Sequence, residues 1–530
     1  MKKAIILGGI LVIAAMANAI AAEDTSEEQV IRQGNVTVTP LNRALSTVGD
    51  GNIQISDSEE DDLQPTIARS PSGRVVAAYA TRQSILQQPI TLAYSEDGSS
   101  WTQAAEFSSD TGILQYPAAV GIDEAGDIGF TYIDPLAEFP FTFFRIGDVT
   151  QSDTYNGVSY VWSDTEDYQE AAITYVHELA VPMFTLHNYY LSEIEGCPFI
   201  CYFLPSLEFP TEIGGQYFDG QSILRTAPAS NIALATGEDY FYLLFEHANQ
   251  TTGHSEIAFK KTVTDLELLY TAGGGPDGMD KYADLEAMPW QQYLAKGDFD
   301  AKDPDVAASG DNVVVVYMSN DNVYGDWNID CWYSSDSGET WDVSTVAGQG
   351  QIDENYPAVF MSGSNVYCIY EKEGNLYSAE SGDGGATWED PIQINEEAGT
   401  VVSEARAIDV SRGGIVWTDT RNGNEDIYYA PLPVPLLDVE SIAGGFGVSA
   451  TITNSGTVAA ENVDWSVELS GAVFVGASTS DTIDQLEPGD SVTVGPGFVL
   501  GVGPTTITVS AGGSSSSASG FILGPFVLGL

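Results

Sequence analysis

"SSDSGETW", Ser334 to Trp341, follows the strand-like run "NIDCWY" and recurs at 381–388 as "SGDGGATW". A version one residue shorter, "SEDGSSW", occupies 95–101. The residue choice has a physical logic. Serine and aspartate side chains accept backbone N–H bonds inside a tight turn. Glycine permits a positive φ, and tryptophan folds back as a large apolar wedge. On this reading Ser95, Asp97, Trp101, Ser334, Asp336, Gly338, Trp341, Ser381, Asp383, Gly385 and Trp388 build turns and carry no chemistry.

The flanking sequence repeats with the turn. "QPTIARSPSGRVVAAYATRQ…ITLAYSEDGSSW" (64–101), "DPDVAASGDNVVVVYMSNDN…IDCWYSSDSGETW" (303–341) and "YPAVFMSGSNVYCIYEKEGNLYSAESGDGGATW" (356–388) share one plan. "EARAIDVSRGGIVWTDTRNGNEDIYYA" (404–430) is a further copy without the last loop, and weaker copies lie at 116–133 and 227–260. Each reads as a strand, a Gly-containing turn, an apolar strand, a loop and a strand, ending in the polar turn and Trp, with Gly, Asn, Asp and Ser between the strands. Trp341 and Trp388 are 47 residues apart, a spacing typical of propeller blades. The expected fold is all-β: a six- or seven-bladed β-propeller over 63–432 followed by a small β-sandwich over 433–530. Insertions are expected at 134–226, where 165–226 has room for a divergent blade, and at 266–302, where "GMDKYADLEAMPWQQYLAKG" is the one helix candidate. Past the Pro-rich boundary "PLPVPLLDV" the composition shifts to Gly, Ser, Thr and Val in tight alternation, as a sandwich requires.

The N-terminus "MKKAIILGGILVIAAMANAIAA" has two lysines, an apolar run and small residues at Ala17 and Ala19. It reads as a signal peptide, residues 1–22, followed by an acidic segment, 23–62. A secreted, extracellular or cell-surface protein is expected, with no transmembrane span in the mature chain. The chain holds 76 acidic and 18 basic residues, a net charge of −58. Self-repulsion on that scale excludes nucleic acid and anionic lipid as partners. It suits a halophilic or marine setting in which salt screens the charge.

Four cysteines form an even set, and the simplest disulfide pairing is Cys197–Cys201 with Cys331–Cys368, one of three arrangements. With four histidines and no CxxC pair, no metal ligand set stands out. "DFDAKDPD" offers Asp298, Asp300, Asp303 and Asp305 as weak candidates for a cation such as Ca²⁺, against the simpler reading of acidic surface.

The octapeptides fit the Asp-box, S-x-D-x-G-x-T-W, and with their spacing the stretch 63–432 resembles the sialidase-like, BNR-repeat propellers. The C-terminal "TITNSGTVAAENV" resembles the CARDB-type immunoglobulin-like modules. The resemblance implies structural boxes at the blade periphery. In catalytic members it also implies three arginines clamping a substrate carboxylate, a Tyr–Glu nucleophile and an acid/base Asp. Here "FRIG" (144–147) departs from the family's Phe-Arg-Ile-Pro at Gly147 and follows the first box instead of preceding it. Arg145, Arg225 and Arg406, among ten arginines, are the candidate anion-binding set, and no motif supports them. The function expected is therefore binding, of carbohydrate or a cell-envelope protein, without a cofactor. An exo-acting glycoside hydrolase of sialidase type is the alternative.

Overall fold

The computed structural model describes residues 31–529 apart from breaks of one to three residues and longer breaks at 46–50, 84–87, 110–118, 134–140, 161–165, 177–180, 191–195, 204–212, 218–228 and 264–291. Residues 1–22, expected as a signal peptide, and Arg225 lie outside the described residues.

Seven antiparallel sheets follow one another along the chain, numbered here as blades. Blade 1 is Asp61–Arg69, Val75–Arg82, Ile90–Ser95 and Trp101–Ser109, extended outward by Val36–Ala44 and Ile31–Gln33. Blade 2 is Val120–Ile122, Ile128–Ile133, Phe141–Ile146 and Tyr155–Tyr160; blade 3 is Glu166–Val176, Val181–Tyr190, Gly196–Phe203 and Ile213–Tyr217. Blade 4 is Ala229–Thr236, Tyr240–Ala248, Ser255–Val263 and Gln292–Ala295, and blade 5 is Ala301–Ser309, Asn312–Ser319, Asn328–Ser334 and Asp342–Ala347. Blade 6 is Asn355–Ser362, Asn365–Lys372, Asn375–Ser381 and Ile392–Gln393. Blade 7 takes Ile408–Ser411, Gly414–Asp419 and Asp426–Ala430 from the C-terminal end of the unit. Its outer strand, Ile53–Gln54, comes from the N-terminal end.

That pairing closes a ring. Ile53 and Gln54 lie opposite Tyr429 and Tyr428, the Ile55 N–H donates to the Ile427 carbonyl at 2.8 Å, and the Ile427 N–H donates to Ser56 Oγ at 2.8 Å. The innermost strand of blade 7 also packs against that of blade 1, as the inner strands of blades 1 to 4 pack against their successors. The molecule is a seven-bladed propeller. The segment 23–62, expected as an acidic leader, therefore supplies propeller strands, and the stretch 134–226, expected as an insertion, carries the outer half of blade 2 and all of blade 3. The helix candidate ends in a strand, Gln292–Ala295, paired with Ser255–Val263; its earlier part lies outside the described residues.

Apolar side chains fill the seams between blades, where a sheet buried on both faces needs them. The tryptophans of the polar turns reach the preceding blade each time. Trp341 of blade 5 meets Phe259 of blade 4 edge-on at 5.1 Å, and Trp388 of blade 6 donates to Ser344 Oγ of blade 5 at 3.1 Å. Trp101 of blade 1, fully buried, meets Tyr429 of blade 7 at 5.0 Å. The wedge thus lies between blades, not within one. Gly385 shows why the turn needs glycine: its φ is +97°, and a Cβ there would sit 3.3 Å from Cys331 Sγ and Tyr333 Cβ of blade 5.

The expected disulfides are not formed as paired. Cys331 and Cys368 are free thiols buried in the seam of blades 5 and 6, where burial pushes both well above the ordinary thiol range. Cys197 and Cys201 lie four residues apart on one extended strand. Their Cα atoms are held ~13 Å apart, outside disulfide reach.

Residues 431–530 form a separate unit. A three-stranded sheet (Leu437–Ala443, Ser449–Asn454, Ser491–Val494) faces a larger one built on Ala460–Leu469, Ser478–Leu486, Leu500–Ala511, Ser514–Gly524 and Phe526–Leu528, with Gly445–Phe446 at its edge. Ile452, Val467, Ile507, Val509 and Ile522 are buried between them, making a β-sandwich.

Because Trp101 fills the seam that closes the ring, Trp101→Ala is expected to cost ~3–5 kcal/mol. Chemical denaturation followed by far-UV circular dichroism measures it. A cost below ~1 kcal/mol would contradict the seam's importance.

Candidate functional site

In each blade the chain enters at the innermost strand. The start of that strand and the loop between strands two and three share one face of the ring, while the 1–2 and 3–4 turns share the other. The octapeptide turns join strands three and four, so they lie on the far face from the inner-strand entrances. Ser337 of one such turn accordingly bonds Asp311 of a 1–2 turn through its N–H (2.8 Å) and hydroxyl (2.6 Å).

Within those turns the aspartates are fully used as acceptors. The Thr340 hydroxyl and N–H reach Asp336 at 2.6 and 2.8 Å, and the Gly338 N–H donates to Ser334 Oγ at 2.9 Å. Thr387, Asp383, Gly385 and Ser381 repeat these bonds at 2.7, 2.8 and 2.9 Å. In the shorter copy the Ser99 and Ser100 N–H groups bond Asp97, and the Gly98 N–H bonds Ser95. The Thr340 hydroxyl and N–H pull Asp336 down to about 2, and Asp383 and Asp97 are lowered by the same kind of bond. Permanently ionised turn caps of this sort hold no proton to exchange at neutral pH.

The entrance face is different. Gln64, Asn231, Asp303, Tyr356 and Arg406 all have φ between +46° and +62°, and each sits at the start of an inner strand. Around Gln64, Asn231 and Asp303 the register slips, marking a bulge. Non-glycine residues held in the left-handed region cost free energy and concentrate at functional sites. Five of the nine found among the described residues occupy this one position in different blades. Five of the seven blades thus place a left-handed residue at the entrance of their inner strand.

Charged groups converge on these five. Arg406 lies close enough to favour the ionised forms of both Asp305 and Asp409. Burial first, then Asp303, Glu404 and Glu371, push the Tyr356 hydroxyl up. Arg82 pairs with Asp61 at 3.4 Å and Glu425 at 3.8 Å, and Glu425 in turn feels Glu404. Glu246 accepts from Asn231 Nδ2 at 2.9 Å, and Glu371 from Asn355 Nδ2 at 2.9 Å, Ser403 Oγ at 2.6 Å and the Gly374 N–H at 2.6 Å. These last two carboxylates pin the loops that shape the mouth. Asp303, Glu404, Glu425, Tyr356, Arg82 and Arg406 lie on the same face.

Asp305 and Asp409 do something else. The Val306 and Val359 N–H groups donate to Asp305 at 2.9 and 2.7 Å, joining the inner strands of blades 5 and 6. The Val410 and Ile67 N–H groups donate to Asp409 at 2.8 and 2.8 Å, joining blades 7 and 1. Each is a carboxylate clamp between blades. Burial raises Asp305 to about 7 and Asp409 to about 6, against the opposing pull of those N–H bonds.

The sequence candidates are therefore dispersed. Arg406 reaches the mouth, but Arg145 stands on the third strand of blade 2, opposite Gly129 and Asn156 and one residue from that strand's end on the far face. Of the acidic run, Asp298 is exposed, Asp300 bonds the Ser255 N–H at 2.9 Å and His254 at 3.3 Å, and Asp305 is a clamp. Among the described residues no three acidic, histidine or cysteine side chains are placed to hold a metal ion. Sequence reasoning missed Arg82, Gln64, Asn231 and Tyr356, and singled out Asp303 and Arg406 for other reasons. The signal was the residue before proline in "QP", "DP" and "YP" at 64–65, 303–304 and 356–357.

No family model matches the sequence, and no curated protein matches it. Among solved structures, the chain is similar to the polysaccharide lyase Uly1 (11% identity, TM-score 0.45, 71% of this chain and 90% of that one). It is also similar to the β-propeller domain of the Trilobed protease from Pyrococcus furiosus (10%, 0.40, 71% and 94%) and to a Trypanosoma rangeli sialidase mutant displaying trans-sialidase activity (10%, 0.29, 66% and 83%).

The clamps carry a pH signature. Their pKa values are higher in the folded than in the unfolded chain, so folding is favoured by protonation. That contribution is fully present below the ordinary carboxylate range near 4 and is lost as pH rises through about 6 and about 7. The melting temperature is expected to fall between pH 4.5 and 7.5. In an Asp305→Asn/Asp409→Asn variant, which keeps one acceptor oxygen per site, the fall is expected to be shallower. Calorimetry at a series of pH values checks it, and an unchanged slope would refute the assignment.

Proposed function

We propose that this chain is a secreted or cell-surface binding protein whose propeller mouth recognises an uncharged carbohydrate. The observation that carries the reading is the mouth itself: half-buried Tyr356 and Asp303, exposed Glu404, half-buried Glu425, and the two arginines Arg82 and Arg406 on one face. Carboxylates and guanidinium groups together accept from and donate to vicinal hydroxyls, and a half-buried tyrosine offers a ring for stacking. The excess of acid over base makes a negative potential that disfavours an anionic ligand. A mouth with this balance therefore selects polyols over sialic acid, whose carboxylate would need several free arginines. Export and a high-salt environment are supported by the leader sequence and the charge of −58.

A hydrolase of sialidase type remains the second reading, favoured by Tyr356 lying near Glu371 and Glu404. Glu371 is already bound by three donors, which leaves Glu404 as the one partner for an activated tyrosine.

Calorimetric titration with a panel of neutral polysaccharides and their oligosaccharides is the test. Saturable binding is expected, weakened at least ~10-fold in Tyr356→Ala and in Asp303→Ala, as loss of one buried polar or stacking contact implies. Asp336→Asn, on the far face, is expected to bind as the wild type does. Turnover of a fluorogenic sialoside, abolished by Tyr356→Phe, would replace this reading with the hydrolase.

A further inference from the structure

We propose that the C-terminal sandwich joins two copies of this chain, face to face, through the outer surface of its larger sheet. Directly opposed residues in neighbouring antiparallel strands share a face. The register pairs Phe446 with Phe526, Phe526 with Leu523, and Leu523 with Val502, so these four form one row across four strands. The next rung on the same face holds Leu528 opposite Phe521. All six side chains are about half exposed or more, from 46% at Phe521 to 63% at Phe446. The residues between them, Ile522 and Val527, are buried in the sandwich core. The strands are thus apolar on both faces, a pattern that belongs to a sheet covered on both sides.

Composition singles out the same surface. Residues 491–530 contain no charged side chain, in a chain whose net charge is −58. In the propeller, the large apolar side chains exposed among the described residues are Val323, Tyr324, Val343 and Ile392, on separate loops and strands of blades 5 and 6. Contiguous apolar patches of several hundred square ångströms mark interaction sites.

A second copy is the occupant this surface fits. At these exposures the six side chains offer on the order of 600 Å² of apolar area, most of the ~800 Å² that each partner gives to a standard interface. A two-fold axis through the rows sets the same uncharged rows against themselves, and sheets pack in this way at ~10 Å. Charge decides where copies can meet: docking through acidic surface would oppose like charges, whereas the apolar rows bring no carboxylate to the contact, and Glu468 of the same face lies opposite Thr508, six residues along the strand from Val502. Salt screens the remaining long-range repulsion, so association strengthens as salt rises.

Sedimentation velocity on the full chain tests the proposal. A monomer–dimer equilibrium is expected with a Kd at or below ~10 µM in ~2 M NaCl, and weaker in ~0.1 M NaCl. Leu523→Asp/Phe526→Asp is expected to raise the Kd at least ~100-fold while circular dichroism stays unchanged. Should that variant lose its cooperative melting transition, Phe446→Ser at the sheet edge decides instead, with at least ~10-fold weaker association expected. A wild-type chain still monomeric at ~200 µM in high salt, a dimer untouched by these substitutions, or a monomer that instead floats with phosphatidylcholine vesicles would each overturn it.

Discussion

The closing seam between blades 7 and 1 is the constraint on which the rest depends. Six blades in an arc would leave two unpaired sheet edges and two half-covered apolar faces. The chain removes both at one place, and it uses three kinds of contact to do so. Backbone pairing ties Ile53–Gln54 to Tyr428–Tyr429, the Trp101–Tyr429 ring contact seals the seam, and Asp409 takes the Ile67 N–H across the channel wall. With the ring closed, every inner strand has fixed neighbours, and the irregular residues at their entrances are held at one radius.

This division of labour explains why the repeated turn and the mouth look so unlike one another. The turn is optimised mainly locally: Ser334, Asp336 and Thr340 bond one another within a few residues, while Trp341 and, through Lys261, Ser337 and Glu339 reach the preceding blade. The mouth is built from residues whose partners lie on different blades, such as Glu371 with Ser403 or Arg82 with Glu425. Local chemistry can be repeated, whereas the mouth is assembled once, from residues of five blades.

The same contrast sets what could be read in the sequence. The turn at 334–341 and its copy at 381–388 disclosed the blade because turn chemistry is written in contiguous residues. Blade 3 was legible only as room for a divergent blade at 165–226, because its strands carry no such punctuation. The role of Ile53–Gln54 stayed hidden because its partners are some 376 residues away. Cys331 and Cys368 invited a disulfide by count, whereas they are packing residues of one seam. At the mouth, Gln64, Asn231, Asp303, Tyr356 and Arg406 share a backbone conformation but no residue type, so pattern matching passes over them. Arg406 was found among the arginines for a reason the structure does not support, since Arg145 stands at the other end of its blade.

The closing strand also bears on how the molecule is made. Ile53 and Gln54 leave the ribosome well before their partners Tyr428 and Tyr429, which are among the last residues of the propeller. Until then blades 1 to 6 form an open arc with bare edges, and the loop to be closed is as long as the domain itself. Contacts so distant in sequence make folding slow, and exposed strand edges invite wrong partners in the interval. A dense shell of carboxylates on the unfinished arc keeps other chains away during that wait, so the acidity serves the protein's birth as well as its solubility.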